Sequence, residues 1–232
     1  MRISKFASKI VTTIKGTDFN FSENIPIRYL ISIFFERSMM MLRGIFIFGH
    51  SKRVFIAKRV DIKCKSKIRF GKNLSIGLSS YIDAVSVDGI RFGENVSLGK
   101  YTNIECSGSL QNLGKGLLVG NNVGMGTHGF FGCAGGVEIG NDTILGNYVS
   151  IHSENHNFNL LDIPIRLQGV NRKGIKIGAN CWLGAKVTIL DGAIIEDGCI
   201  IAAGALITEG KYKSNGIYGG VPAKLLKYRS IE

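Results

Sequence analysis

Two of the chain's four histidines, His152 and His156, stand four residues apart in the run His152-Ser-Glu-Asn-His156-Asn-Phe158. An imidazole titrates near neutral pH, so either ring suits the work of a general base that takes a proton from a weak nucleophile. Glu154, Asn155 and Asn157 add oxygen donors, and a His, Glu and Asn set of this kind is also a conceivable metal-ligand group. No second His/Cys cluster stands at ligand spacing, so no metal is expected. Taken alone, a histidine in such a run is more often structural or solvent-exposed than catalytic. Position sets these two apart, because a regular pattern of the sequence breaks off beside them.

That pattern is a repeat of six. Ile177, Leu183, Ile189, Ile195, Ile201 and Ile207 recur at six-residue intervals, and Cys181, Val187, Ala193, Cys199 and Ala205 follow the first five by four positions. Upstream the same period runs through Phe70, Ile76 and Ile82, then Phe92, Leu98 and Ile104, then Val119, Met125, Phe131 and Val137, then Ile139, Leu145 and Ile151. Weaker matches at Ile56, Ile62 and Ile68 start it. A helix of 3.6 residues per turn does not hold every sixth residue on one face for long, whereas short strands with a corner per hexad do. Large aliphatics then fill the flat faces and small residues fit the corners. Three faces make a coil, and each coil pairs its backbone groups with the rung above or below.

Breaks in phase, as between Val137 and Ile139, read as small insertions at corners. After Ile151 the hexads stop, and they resume only at Ile177. A loop this long inside a regular coil is functional or disordered, and two histidines at its root favour function. The expected organisation is an N-terminal helical segment over 1–52, a coil over 53–210 with a loop inserted at 152–176, and a C-terminal cap over 211–232.

Composition agrees. A chain of 232 residues with 45% hydrophobic content buries a core of its own, and 31 glycines against 3 prolines suit many tight corners. The five cysteines are scattered without C-x-x-C spacing, and no export signal is evident, so we expect free thiols in a reducing, cytoplasmic compartment. The formal charge of +12 is spread over many Lys and Arg in the first 75 residues and another group in the last 22. No DNA- or RNA-binding motif stands among them, and nucleic acid is not expected. Anionic cofactors, anionic glycans and the inner membrane surface all suit such a charge.

Residues 25–48 are strongly apolar but carry Arg28, Glu36, Arg37 and Arg43, so no uncharged run reaches spanning length. The segment begins too late and holds too many charges for a signal peptide. It is expected to be a helix packed on the end of the coil. The alternative is a basic interfacial helix in peripheral contact with a membrane.

The [Ile/Leu/Val]-Gly-x-x-x-x pattern, the run Ile177-Gly-Ala-Asn-Cys-Trp182-Leu-Gly-Ala185 and the ending Gly219-Gly-Val-Pro-Ala-Lys224 resemble the hexapeptide-repeat acyltransferases. The likeness is to the O-acetyltransferases that modify galactosides, maltose and surface polysaccharides, and it covers about residues 56 to 228. It implies an all-β, left-handed parallel β-helix, a hand that spacing alone does not give. It also implies a homotrimer, with each site between two subunits.

The resemblance further implies roles for single residues. The catalytic histidine of those enzymes stands near the start of the extended loop, the place of His156 here, and His152 lies on the rung itself. The implied reaction carries an acetyl group from acetyl-CoA to a hydroxyl, with His156 as base and the backbone N–H of Ala185 facing the developing oxyanion. Trp182, Gly184, Ala185, Ala203 and Thr208 match positions that flank the pantetheine arm. Lys224 and Lys227 match basic positions that meet coenzyme A phosphates. On the acceptor side the chain departs from the small-sugar enzymes: it reads Gly126-Thr-His128-Gly-Phe-Phe-Gly-Cys133, and Thr127, His128 and Asn155 are the acceptor-binding candidates. A surface-glycan or lipid-linked sugar is the acceptor this favours. The alternatives are N-acetylation of an amino sugar and a non-catalytic scaffold. A γ-class carbonic anhydrase type would need three metal-binding histidines across an interface, and these histidines are poorly placed for that.

Overall fold

The computed structural model describes Thr12 and residues 20–22, 24–49 and 53–230. From Val54 onward the six-residue period becomes strands of two or three residues that coil into a three-sided prism. Face I stacks strands 54–56, 74–76, 97–98, 124–125, 144–145, 182–183, 200–201 and 216–220. Face II stacks 61–63, 81–83, 103–105, 130–132, 150–152, 188–190 and 206–207. Face III stacks 68–70, 90–92, 117–119, 137–139, 175–177, 193–195 and 210–212. Neighbouring rungs are parallel throughout, and the chain is an all-β, left-handed parallel β-helix.

The inward code is as the period demands. Leu183, Ile189, Ile195, Ile201 and Ile207 are fully buried, and Cys181, Val187, Ala193, Cys199 and Ala205 are buried at the corners between them. Each large aliphatic contributes about 1.5–3 kcal/mol by leaving water. Four of the five cysteines lie inside as small core residues and all five are free thiols; Cys64 alone is exposed. At the corner between faces III and I, Asn95, Asn122, Asp142 and Asn180 hold the left-handed conformation that short polar side chains tolerate. The amides of Asn95 and Asn122 link rung to rung, donating to Asn122 Oδ1 and Asp142 Oδ1, each at 2.9 Å.

Between residues in register, the step from face I to face II is six at every rung, from Ile56–Ile62 to Ile201–Ile207. The step from face III to face I is also six, from Phe70–Ile76 to Tyr212–Tyr218. Only the step from face II to face III lengthens: ten from Ile82 to Phe92, fifteen from Ile104 to Val119, twenty-six from Ile151 to Ile177. Every insertion therefore leaves the prism by one edge. The phase break at Val137 has the same origin: Val137 and Ile139 both point inward on strand 137–139, and Ile139 is the residue in register with Val119 and Ile177.

Helix α1 (Ile27–Phe48) closes the first rung. Gly44 lies so close over Val54 that a Cβ would strike the Val54 carbonyl, Arg43 donates to the Ile56 carbonyl, and the Phe48 and Phe70 rings meet edge to face at 4.9 Å. At the other end the coil continues past residue 210. Strands 210–212 and 216–220 are full rungs with Tyr212 and Tyr218 as their inward residues, and strand 223–228 then folds back antiparallel on 216–220.

Candidate active site

The loop between Ile151 and Ile177 is fastened at both ends. At its start the buried Ser153 hydroxyl donates to the Gly132 carbonyl at 2.8 Å and accepts the Gly135 N–H at 2.9 Å. At its return the buried Asp191 carboxylate accepts the N–H groups of Lys173 and Gly174, at 2.9 and 2.8 Å. Across the neck Arg172 Nε donates to Glu154 Oε2 at 2.6 Å, while the same guanidinium reaches Asn112 and the Leu113 carbonyl on the excursion two coils below. Within the loop, Gln168 binds the carbonyls of Leu160 and Ile163 at 2.7 and 2.6 Å.

This frame presents His156. Strand 155–156 pairs antiparallel with strand 170–171, His156 opposite Val170, and the ribbon carries both Asn155 and His156 exposed to solvent. His152, by contrast, stays on the outer side of face II. Its Nε2 lies 2.7 Å from Ser150 Oγ, its ring lies 5.3 Å from that of Phe130, and partial burial holds its pKa below the ordinary imidazole value.

The other expected residues fall on different parts of the prism. Trp182 lies on face I between Ile144 and Ile200, 56% exposed, and Gly184, Ala185 and Ala203 follow at the corner between faces I and II on two stacked rungs. The rungs pack tightly there, since a Cβ on Gly184 would lie 2.6 Å from Ala203 N. The Ala185 carbonyl accepts the Gly204 N–H at 2.9 Å, and the N–H of this exposed residue has no acceptor among the described residues. Lys224 and Lys227 stand exposed on strand 223–228, which extends face I. Two rungs below Ala185, on the same corner, His128 is stacked between Tyr101 and Tyr148 at 4.8 and 4.7 Å, and the Thr127 N–H is capped by Asn147 Oδ1 at 2.9 Å.

The structure thus gathers Trp182, Gly184, Ala185 and Ala203 at one edge, with Lys224 and Lys227 at the end of the adjoining face. Thr208 sits instead at the edge between faces II and III, where its N–H and carbonyl both meet the Tyr212 hydroxyl. His156 leaves the prism by that second edge. In a single chain the width of face II separates His156 from Ala185 and from Thr127 and His128. Among the described residues no group of three or more His, Cys, Asp or Glu is arranged to hold a metal. No helix among them is long and apolar enough to cross a membrane.

Sequence reasoning missed the fastening residues Ser153, Glu154 and Asp191. A signal existed for the last in Asp191-Gly192, a turn dipeptide in an otherwise apolar hexad run. Ser153 and Glu154 carry no such mark.

The hexads thus wind into a triangular coil, broken by a fastened loop that carries an exposed histidine. Residues 174–209 match the family described as bacterial transferase hexapeptide (six repeats). A probable acetyltransferase of Mycobacterium tuberculosis is 26% identical over 95 residues, 41% of this chain and 31% of that protein. The putative lipopolysaccharide biosynthesis O-acetyl transferase WbbJ of Escherichia coli is 32% identical over 98 residues, 39% of this chain and 50% of that protein. The chain thus spans half or less of the length of these curated relatives. Among solved structures, an N-acyltransferase from Bacillus cereus, determined with dTDP-4-amino-4,6-dideoxyglucose and coenzyme A, shares the fold at TM-score 0.56 and 17% identity, over 77% of this chain and 82% of that one.

Proposed function

We propose that this chain transfers an acetyl group from acetyl-CoA to a hydroxyl of a sugar or surface-polysaccharide precursor, with His156 as general base. The observation that carries the reading is the exposed His156 on a ribbon fixed at both ends, within a coil whose repeats match those of bacterial transferases. A base must be held in one geometry to work, and the Ser153, Arg172 and Asp191 contacts supply that rigidity.

The imidazole of His156 takes the acceptor hydroxyl's proton as that oxygen bonds to the thioester carbonyl carbon. The free N–H of Ala185 donates to the oxyanion that forms. As the tetrahedral intermediate collapses, the carbon–sulfur bond breaks, and the proton held on His156 passes to the leaving thiolate. The groups at the edge between faces I and II fit the donor: free backbone N–H and an exposed indole suit its amide-bearing arm, and Lys224 and Lys227 suit its phosphates.

Because His156 and Ala185 stand on different edges of one prism, the complete site lies between copies, His156 of one chain facing the partner subunit's Ala185. Such a contact joins unlike edges, and the ring of three that the resemblance to the hexapeptide-repeat acyltransferases implies gives every histidine a partner's edge. Thr208 then lies on the histidine side of the site. The buried free thiols suit the cytoplasm.

The test is thiol release from acetyl-CoA by the purified protein over sugars and amino sugars, with His156→Ala alongside. We expect release that depends on a hydroxyl acceptor and falls by about 10²–10⁴ in the variant. Turnover of amino sugars alone would make it an N-acetyltransferase, and neither release nor acetyl-CoA binding would leave a scaffold.

A further inference from the structure

Helix α1 has two apolar stripes. Leu30, Ile33, Met40, Gly44 and Ile47, at spacings that keep to one side, lie buried or half-buried, and Gly44 and Ile47 meet the coil. On the opposite side Ile31, Phe35, Leu42 and Phe46 form a second stripe, with relative exposures of 60, 68, 50 and 91%. Phe34 beside it is 71% exposed. A continuous apolar strip of this kind is not left in water without a partner.

The charge distribution says which partner. Residues 1–72 carry 16 Lys and Arg against 4 Asp and Glu, while residues 73–232 carry 13 of each. The whole formal charge of +12 therefore belongs to the N-terminal segment and the first coil, and the rest of the chain is neutral. On that first coil Lys58, Arg59, Arg69 and Lys72 are exposed and make no ion pair among the described residues.

We propose that this end of the molecule docks on an anionic membrane surface, the outer stripe of α1 entering the interface and the basic first coil facing the lipid phosphates. Each Lys or Arg near such a surface adds attraction, and the Phe, Leu and Ile side chains add burial. A second copy is the weaker fit, since pairing two such ends would bring together the like charge of both chains. The histidine loop leaves the fifth coil, about 20 Å above the first at 4.8 Å per rung, within reach of an acceptor carried at the surface. The docking itself does not rest on the transferase reading.

The experiment is flotation of the full chain with vesicles of phosphatidylcholine alone or with one-third phosphatidylglycerol, at 0.1 and 0.5 M salt, with molecular mass measured in parallel. Two surface variants are used, Phe35→Ser with Phe46→Ser, and Lys58→Glu with Arg59→Glu. We expect flotation with anionic vesicles at low salt, weakened about tenfold or more by high salt and by either double variant, with mass and thermal melting unchanged. No flotation with anionic vesicles at 0.1 M salt overturns the proposal. So does a drop in mass of the Phe variant with flotation unchanged, which would make the stripe a subunit interface.

Discussion

Arg172 closes the neck of the histidine loop on Glu154 with a contact of 2.6 Å, and the same guanidinium ties that neck to Asn112 and Leu113 on the excursion two coils below. The loop and the shorter excursion beneath it leave the same edge of the prism, and one side chain locks the two together.

Removing that lock loosens the loop and leaves the coil intact. Arg172→Ala forfeits a half-buried ion pair and its hydrogen bonds, worth roughly 1–2 kcal/mol to the loop's closed state, or about tenfold in the fraction open. Limited proteolysis within residues 157–169 is expected to quicken by about that factor, while the global melting temperature moves little. Unchanged cleavage would mean that Ser153 and Asp191 hold the loop without help.

Asp191 has a larger effect. Its buried carboxylate is the acceptor for the backbone N–H groups of both Lys173 and Gly174. Asp191→Ala leaves those donors without a partner and costs about 2–3 kcal/mol, a fall of roughly 5–10 °C in melting temperature. Differential scanning calorimetry checks it.

His152 gives a pH dependence. Burial holds its pKa below the ordinary value of about 6.5, so below that pH the unfolded chain takes up a proton that the folded ring declines. The stability it supports is whole above about pH 6.5 and is lost as pH falls toward the lowered folded value. An NMR titration of His152 should show a midpoint under 6.5, and His152→Gln should flatten part of the loss of melting temperature between pH 7 and 5. A midpoint at or above 6.5 overturns this.

Leu183 is fully buried, in register between Leu145 and Ile201. Leu183→Ala opens a cavity mid-stack and is expected to cost about 2–5 kcal/mol. Trp182, the sole tryptophan, lies next to it, so urea unfolding followed by fluorescence reads the loss directly.

The six-residue period by itself determined the three-sided coil, because a strand of two or three residues and a corner repeat only at that interval. It told which side chain of each hexad points inward, from Ile177 to Ile207, since burial selects bulk on the faces and small size at the corners. It also marked the interruption between Ile151 and Ile177 and placed His156 in it. The tertiary structure decided what period cannot encode. That all the insertions share one edge follows from the pairing register between rungs, which no single hexad contains. That Arg172 meets Asn112 sixty residues away, and that Asp191 caps the loop's return, follows from stacking coils that are distant in sequence. The two apolar stripes of α1 became distinct only when Gly44 settled on Val54: both are rich in large apolar residues, and packing chose the one that is buried and the one left to a partner.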